Sequence, residues 1–266
     1  MDKEKRNQGV LLFALSVALL VVISARVSPG EMRAADAAGI RITSGTQLVR
    51  RTGADLEETA AEEKTVIFNI RELFPDASPS DWNLRLVNET YMLSASFAPN
   101  VTEVRDGERF DVRAAEALED MLAGAERSGY TVCVRAGYRG YQTQSYLFFG
   151  RVSLIAENEE LEYAVAEEKT KSLVAYPGTS DHQTGLAVDL MDSRATPMTE
   201  EAAAELPVLK WLQQHCADYG FILRYPKEKL EVTGWYEPWH FRYVGQEAAA
   251  YIMKNGMCLE EFIALF

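Results

Sequence analysis

The chain has 266 residues, of which 47% are hydrophobic, 25% charged and 10% aromatic, a composition that excludes wholesale disorder, collagen-like repeats and a polytopic membrane protein. Its 27 Lys and Arg stand against 40 Asp and Glu, a formal charge of -13, which argues against nucleic acid or any other broad polyanion as a partner. The three cysteines are too few for a disulfide scaffold and cannot all pair within one chain. Cys133, Cys216 and Cys258 therefore read as small apolar side chains.

Lys3, Lys5 and Arg6 precede an apolar run from Val10 to Ile23, the pattern of a secretory signal. That run is shorter than the ~20 residues of a comfortable transmembrane helix, and no clear cleavage triplet follows it. Residues 1–27 thus read as a signal peptide or a membrane anchor, and the protein is expected outside the cytoplasm, secreted or tethered. Residues 28–80 are rich in Ala, Glu, Arg, Thr and Gly, with an acidic stretch from Ala54 to Lys64, as in a solvated, flexible stalk. Val66-Ile67-Phe68 is the apolar exception, a strand or a docking segment.

A single compact domain is expected over residues 81–266. Ala115, Leu118, Met121, Leu122 and Ala125 recur at helical spacing, predicting a helix over 112–128 that Gly129 terminates. Alternation over 130–134 predicts a strand feeding a loop at Gly137, and 144–157 reads as a helix. Thr199 before Glu200 and Glu201 marks another helix start. Pro207 restarts it, with Leu209, Leu212, Cys216 and Tyr219 on one face before Gly220. Strands among helices without a βαβ rhythm predict an α+β fold, a small mixed or antiparallel sheet with flanking helices.

Two of the three histidines lie in unusual segments, Ser180-Asp181-His182 running on to Asp189, and Glu237-Pro238-Trp239-His240. Alternation over 184–190 sends Leu186, Val188 and Leu190 to one face and Gly185, Ala187 and Asp189 to the other, so Asp189 projects among small residues. In the second segment strict alternation separates Glu237 from His240, three positions apart. Pro238 cannot continue a central strand, so a bend is expected there that returns Glu237 to the side of His240. The resulting reading is one Zn²⁺ held by His182, Asp189 and His240 with a fourth position open, and Glu237 as general base. Each residue alone has an ordinary structural explanation; their conjunction does not. His215 has no such partner motif and is assigned to structure.

These residues resemble the VanY-type D-alanyl-D-alanine carboxypeptidases, zinc peptidases of bacterial cell walls, whose signature is Ser-x-His, then Asp, and later Glu-x-x-His. Trp82 to Asn88, Gly137-Tyr138-Arg139 with Gln144, Gly178 to Ser180, Phe221 to Pro226 and Tyr243 to Gly245 extend the resemblance from Trp82 to the C-terminus. The resemblance implies the same three ligands and the same base. It adds Arg139, as a group for the developing oxyanion or the peptide carboxylate. It also implies that Gln144 and Ser180 contact substrate and that Trp239 walls the metal. Ala136 and Gly140 depart from the family's loop, which carries serines there, and Asp181 stands where Glu is common.

The expected activity is hydrolysis of the terminal D-Ala-D-Ala bond of peptidoglycan stem peptides. The alternatives are an L,D-carboxypeptidase, a cross-bridge endopeptidase or a wall-binding module without turnover. Two His and a carboxylate also occur in non-haem iron oxygenases, which have no use for a glutamate at the position of Glu237.

Overall fold

The computed structural model describes residues 70–196 and 199–266. The N-terminal apolar run, most of the stalk segment and the 66–68 patch lie outside the described residues. The chain divides into two units, Met1–Pro75 and Asp76–Phe266. In the first, the described residues 70–75 include the short helix Ile70–Leu73, within the segment expected to be stalk. The compact second unit begins at Asp76, slightly ahead of the expected boundary. Ser78 N donates to Asp81 Oδ2 at 2.9 Å, and the Asp81 carbonyl accepts from Leu84 and Arg85, so this entry segment is a hydrogen-bonded turn. Among the described residues no helix is long and apolar enough to cross a membrane.

The second unit opens with a hairpin, β1 (Val101–Glu103) paired antiparallel with β2 (Arg109–Asp111). Asp106 and Gly107 between them take φ of 60° and 77°, the left-handed conformations that an Asp-Gly turn accommodates. Asp106 Oδ2 also accepts from Val134 N at 2.7 Å, which ties the hairpin to β3. The main sheet contains β3 (Cys133–Ala136), β4 (Ala187–Met191), β5 (Phe221–Tyr225) and β6 (Glu237–Tyr243). Its order is β3-β4-β6-β5 and every pairing is antiparallel. The α+β expectation holds, with the antiparallel form of the sheet.

The two faces of this sheet have opposite chemistry, because side chains alternate along each strand. Val188, Leu190, Phe221, Leu223 and Phe241 enter the main core. There they meet Leu118, Met121 and Leu122 of the helix Ala115–Arg127, and Val208, Leu209 and Leu212 of the helix Pro207–His215. The intervening positions, Asp189, Arg224, His240 and Arg242, place polar groups on the other face. A second, smaller core of Phe148, Val152, Ile155 and Ala166 joins the helices Tyr141–Asn158 and Tyr163–Lys171.

Boundaries differ from the sequence reading where hydrogen bonds local to the chain decide. The strand expected from Tyr130 begins only at Cys133, because Tyr130 N is still donating to Ala125 O at 3.1 Å, closing the preceding helix. The helix expected from Gln144 begins at Tyr141, since Gln144 N already donates to Gly140 O at 3.0 Å. Thr199 caps as expected, its hydroxyl accepting from Ala202 N at 3.1 Å. All three cysteines are free; Cys216 and Cys258 are buried and Cys133 partly so. His215 stacks on Trp211, in keeping with its structural assignment.

Candidate active site

The site is built on the polar face where β4 meets β6. Asp189 and His240 are register partners, and directly opposed residues bring their Cβ atoms to about 5 Å. His182 arrives from the 3₁₀ turn Asp181–Thr184 just before β4. Gly185 connects that turn to the strand with φ of 74°, and a Cβ there would lie 3.0 Å from Pro99 Cγ. Conformation and space both demand glycine at this junction.

His182 Nε2 lies 3.3 Å from Asp189 Oδ2, and His240 Nδ1 lies 3.2 Å from Asp189 Oδ1 and 3.1 Å from Glu237 Oε2. One ligand atom from each of His182, Asp189 and His240 falls within 4.8 Å of the others. His182 Nδ1 donates to the Gly137 carbonyl at 2.8 Å. A carbonyl can only accept, so Nδ1 carries the proton and Nε2 presents its lone pair to the cluster.

Electrostatics give the same picture of a site that wants a cation. Burial works against the Asp189 carboxylate, yet His182 and His240 beside it hold it well below the usual carboxylate range. Burial likewise opposes a charged His240, but contact with Asp189 and Glu237 pushes it up to about 9. Asp189 Oδ1 and His240 Nε2 are buried without a hydrogen bond among the described residues. A buried carboxylate whose two oxygens face one imidazole nitrogen each suits zinc, whereas calcium and magnesium take all-oxygen cages.

Glu237 reaches this cluster by a route the sequence reading did not foresee. Instead of a bend at Pro238, β6 runs unbroken from Glu237 to Tyr243 and carries a bulge. Leu223 pairs with Phe241 while Tyr225 pairs with Glu237, so β6 advances four residues where β5 advances two. Regular pairing is lost between Glu237 and Phe241, so strict alternation does not hold over this stretch, and Glu237 Oε2 comes to 3.1 Å from His240 Nδ1. Pro238 sits inside the bulge, where its missing N–H breaks no ladder bond, and its carbonyl accepts from Gln213 Nε2 at 3.3 Å.

The cluster opens into a cavity of about 400 Å³ lined by Arg139, Gln144, Ser180, Tyr225 and Trp235 among others. Arg139 N donates to the His182 carbonyl at 3.1 Å, and its Nη1 donates to Gln144 Oε1 at 3.0 Å. Gln144 is buried and its Nε2 is fixed by the Ala175 carbonyl at 2.7 Å, so the guanidinium is held by an anchored amide. The expected residues His182, Asp189, His240, Glu237, Arg139, Gln144 and Ser180 all meet here. Trp239 does not. As the strand neighbour of His240 it points to the opposite face and packs on the main core. Trp235 lines the cavity in its place, two residues before Glu237.

Behind the site lies a buried ionic cluster that sequence reasoning missed. Asp181 Oδ2 accepts from Arg224 Nε and Oδ1 from Arg242 Nη1, both at 2.7 Å. Arg224 also makes a two-pronged contact with Glu260, at 2.8 and 2.6 Å, and Arg242 Nη2 donates to the Arg85 carbonyl at 2.9 Å. Arg224 and Arg242 have no exposed surface, and Asp181 has 1%.

Two buried imidazoles and a carboxylate converging beside an open cavity, with a second carboxylate at its rim, define a mononuclear metallohydrolase site. The chain belongs to the VanY D-alanyl-D-alanine carboxypeptidase family, whose model matches residues 107–246. A D-alanyl-D-alanine carboxypeptidase of Enterococcus faecalis is 33% identical over 231 residues, covering 84% of this chain and 82% of that protein. YodJ of Bacillus subtilis is 39% identical over 190 residues, 67% of this chain and 66% of its own length.

Among solved structures, the vancomycin-resistance D,D-pentapeptidase VanY in complex with Zn(II) superposes with a TM-score of 0.60 and 36% identity, covering 69% of this chain and 99% of that one. The LdcB LD-carboxypeptidase, a structure concerned with peptidoglycan recognition, has a TM-score of 0.58 and 37% identity, covering 68% and 86%.

Proposed function

We propose that the protein is an extracytoplasmic zinc carboxypeptidase that releases the terminal D-alanine from peptidoglycan stem peptides ending in D-Ala-D-Ala. The observation that carries this reading is the convergence of His182, Asp189, His240 and Glu237 at one end of the cavity that Arg139 and Gln144 line. His182 Nε2, an Asp189 oxygen and His240 Nδ1 would hold the metal. Zinc bound there supplies a Lewis acid that polarises a carbonyl and activates water.

Glu237, with a side chain 25% exposed at the rim of the cluster, takes the proton from the attacking water and passes it to the departing amine. Arg139 offers a permanently charged, planar donor to the oxyanion or to the substrate carboxylate, and Gln144 keeps it aimed. Ser180 places a hydroxyl in the same wall. The N-terminal residues 1–27 would deliver the domain to the wall, by secretion or as a tether.

Both D,D and L,D enzymes share this fold at nearly equal identity to the chain, so the stereochemical assignment rests on the family match and on the E. faecalis relative. It is tested by incubating the zinc-loaded protein with a pentapeptide ending in D-Ala-D-Ala, with the tetrapeptide left after loss of its terminal D-alanine, and with a cross-linked pair of stem peptides. Free D-alanine from the pentapeptide alone supports the assignment. Release from the tetrapeptide alone transfers the protein to the L,D class, and cleavage only of cross-linked peptides makes it an endopeptidase.

The loop that supports His182 gives a second expectation. A Cβ on Gly137 would collide with the Arg109 carbonyl, so Gly137→Ala forces the loop away from β2 and drags the carbonyl that holds His182 Nδ1. Loss of such a supporting contact lowers metal affinity by about 10–100-fold. Competition against a chromophoric chelator measures it, and unchanged affinity would mean that the carbonyl does not orient the imidazole.

A further inference from the structure

The helix Tyr141–Asn158 presents two worked faces. Phe148, Val152 and Ile155 are buried in the smaller core. Gln144, Leu147, Arg151 and Leu154 follow at i, i+3, i+7 and i+10, which aligns them in one stripe. All four line the cavity that also contains His182, Asp189, Glu237 and His240, and Leu173 and Val174 line it as well. The stripe therefore begins at the site, with Gln144 against Arg139, and runs away from it along the helix.

The composition of that stripe is odd for a surface with nothing to bind. Leu147 and Leu154 are each 47% exposed and Leu173 is 53% exposed, so three large apolar side chains bound an open groove. Arg151 lies between the two helix leucines, exposed, and makes no hydrogen bond or ion pair among the described residues. In a chain of formal charge -13, a cation left unpaired in a cleft stands out. Gly150, also in the lining, destabilises a helix interior, yet a Cβ there would meet nothing within 4 Å. No protein neighbour requires that glycine; a chain lying across the helix would.

We propose that this stripe is the upstream arm of the substrate site, and that Arg151 binds a carboxylate carried by the peptide about three residues before its C-terminal end. The proposal rests on the carboxypeptidase reading above. The spacing follows from geometry. Seven helical residues from Gln144 to Arg151 rise about 10 Å, and an extended peptide covers about 3.3–3.6 Å per residue. In a stem peptide the γ-linked glutamate, whose α-carboxyl is free, stands about that far from the terminal D-alanine. The diamino acid that follows it is the other source of a carboxylate when it is diaminopimelate. Both present the same chemistry to a guanidinium.

The test uses the full chain and three pentapeptides ending in D-Ala-D-Ala: lysine-containing with free glutamate α-carboxyl, the same with that carboxyl as an amide, and the amide form with diaminopimelate replacing lysine. For wild type, kcat/KM for the free acid exceeds that for the amide by about tenfold, the scale of one charge-assisted hydrogen bond, and the difference resides in KM. Arg151→Ala brings the ratio near one, and Arg151→Lys retains part of it. Binding of the same peptides to the metal-free protein shows the same ranking, independently of turnover.

Recovery of the preference by diaminopimelate in the amide background assigns the cation to that carboxylate instead of glutamate's, with the subsite intact. Equal treatment of all three peptides by wild type, or a preference that survives Arg151→Ala, overturns the proposal. If none of the peptides releases D-alanine while binding keeps its Arg151-dependent ranking, the carboxypeptidase reading fails and the subsite stands.

Discussion

Glu237→Gln lowers kcat for D-alanine release by about 10²–10⁴-fold, the range of a lost general base, while the protein still binds one zinc. The substitution keeps the size and shape of the side chain beside His240, but an amide does not accept a proton from water. Asp189 is no substitute. It is buried between two imidazoles that hold it well below the usual carboxylate range, which makes it a poor acceptor of a proton from water. Zinc content and kcat are measured on the same preparation. Loss of zinc with loss of rate would make Glu237 a ligand instead of a base, and an unchanged kcat would remove it from the mechanism.

The residues that make this prediction possible were readable in part from the sequence, for identifiable reasons. Asp189 was legible because β4 alternates cleanly, with Val188 and Leu190 in the core on one side and the carboxylate on the other. Arg139, Gln144 and Ser180 were found through motif resemblance, and the structure adds the hydrogen bond that joins Arg139 to Gln144. The path by which Glu237 joins His240 was not legible. A bulge depends on which residue of β5 faces which residue of β6, and a single strand does not record its partner's register.

Trp235 and Trp239 each stand two residues from Glu237, so alternation alone does not say which of them lines the cavity; the irregular pairing of β6 decides it. The β1–β2 hairpin had a signal, the Asp106-Gly107 pair, masked by strands of only three residues without an apolar rhythm. The buried ionic cluster had none. Its members, Asp181, Arg224, Arg242 and Glu260, are scattered along the sequence, and each by itself reads as a surface charge.

That cluster makes Asp181→Asn the most damaging substitution expected outside the metal ligands, with a loss of about 3–5 kcal/mol of stability, the cost of breaking a buried ion pair from one side. Among the described residues Asp181 is the sole carboxylate contacting Arg242, and it shares Arg224 with Glu260. The asparagine would turn N–H donors toward guanidinium donors and leave Arg242, which has no exposed surface, without a counter-charge. For a domain of this size such a loss lowers Tm by about 6–20 °C.

The comparison is Glu205→Ala at the exposed Lys210–Glu205 pair, with side chains 50% and 76% exposed, where under about 1 kcal/mol is expected. Urea denaturation of the three proteins checks both values. Adding Arg242→Met to Asp181→Asn recovers part of the loss, because it removes the stranded cation and not merely a contact. If Asp181→Asn falls no further than the surface variant, the two arginines are not held by this carboxylate. The turn that carries His182 would then owe its position to its other contacts, among them the Gly137 carbonyl, the Arg139 amide and the Gly185 junction.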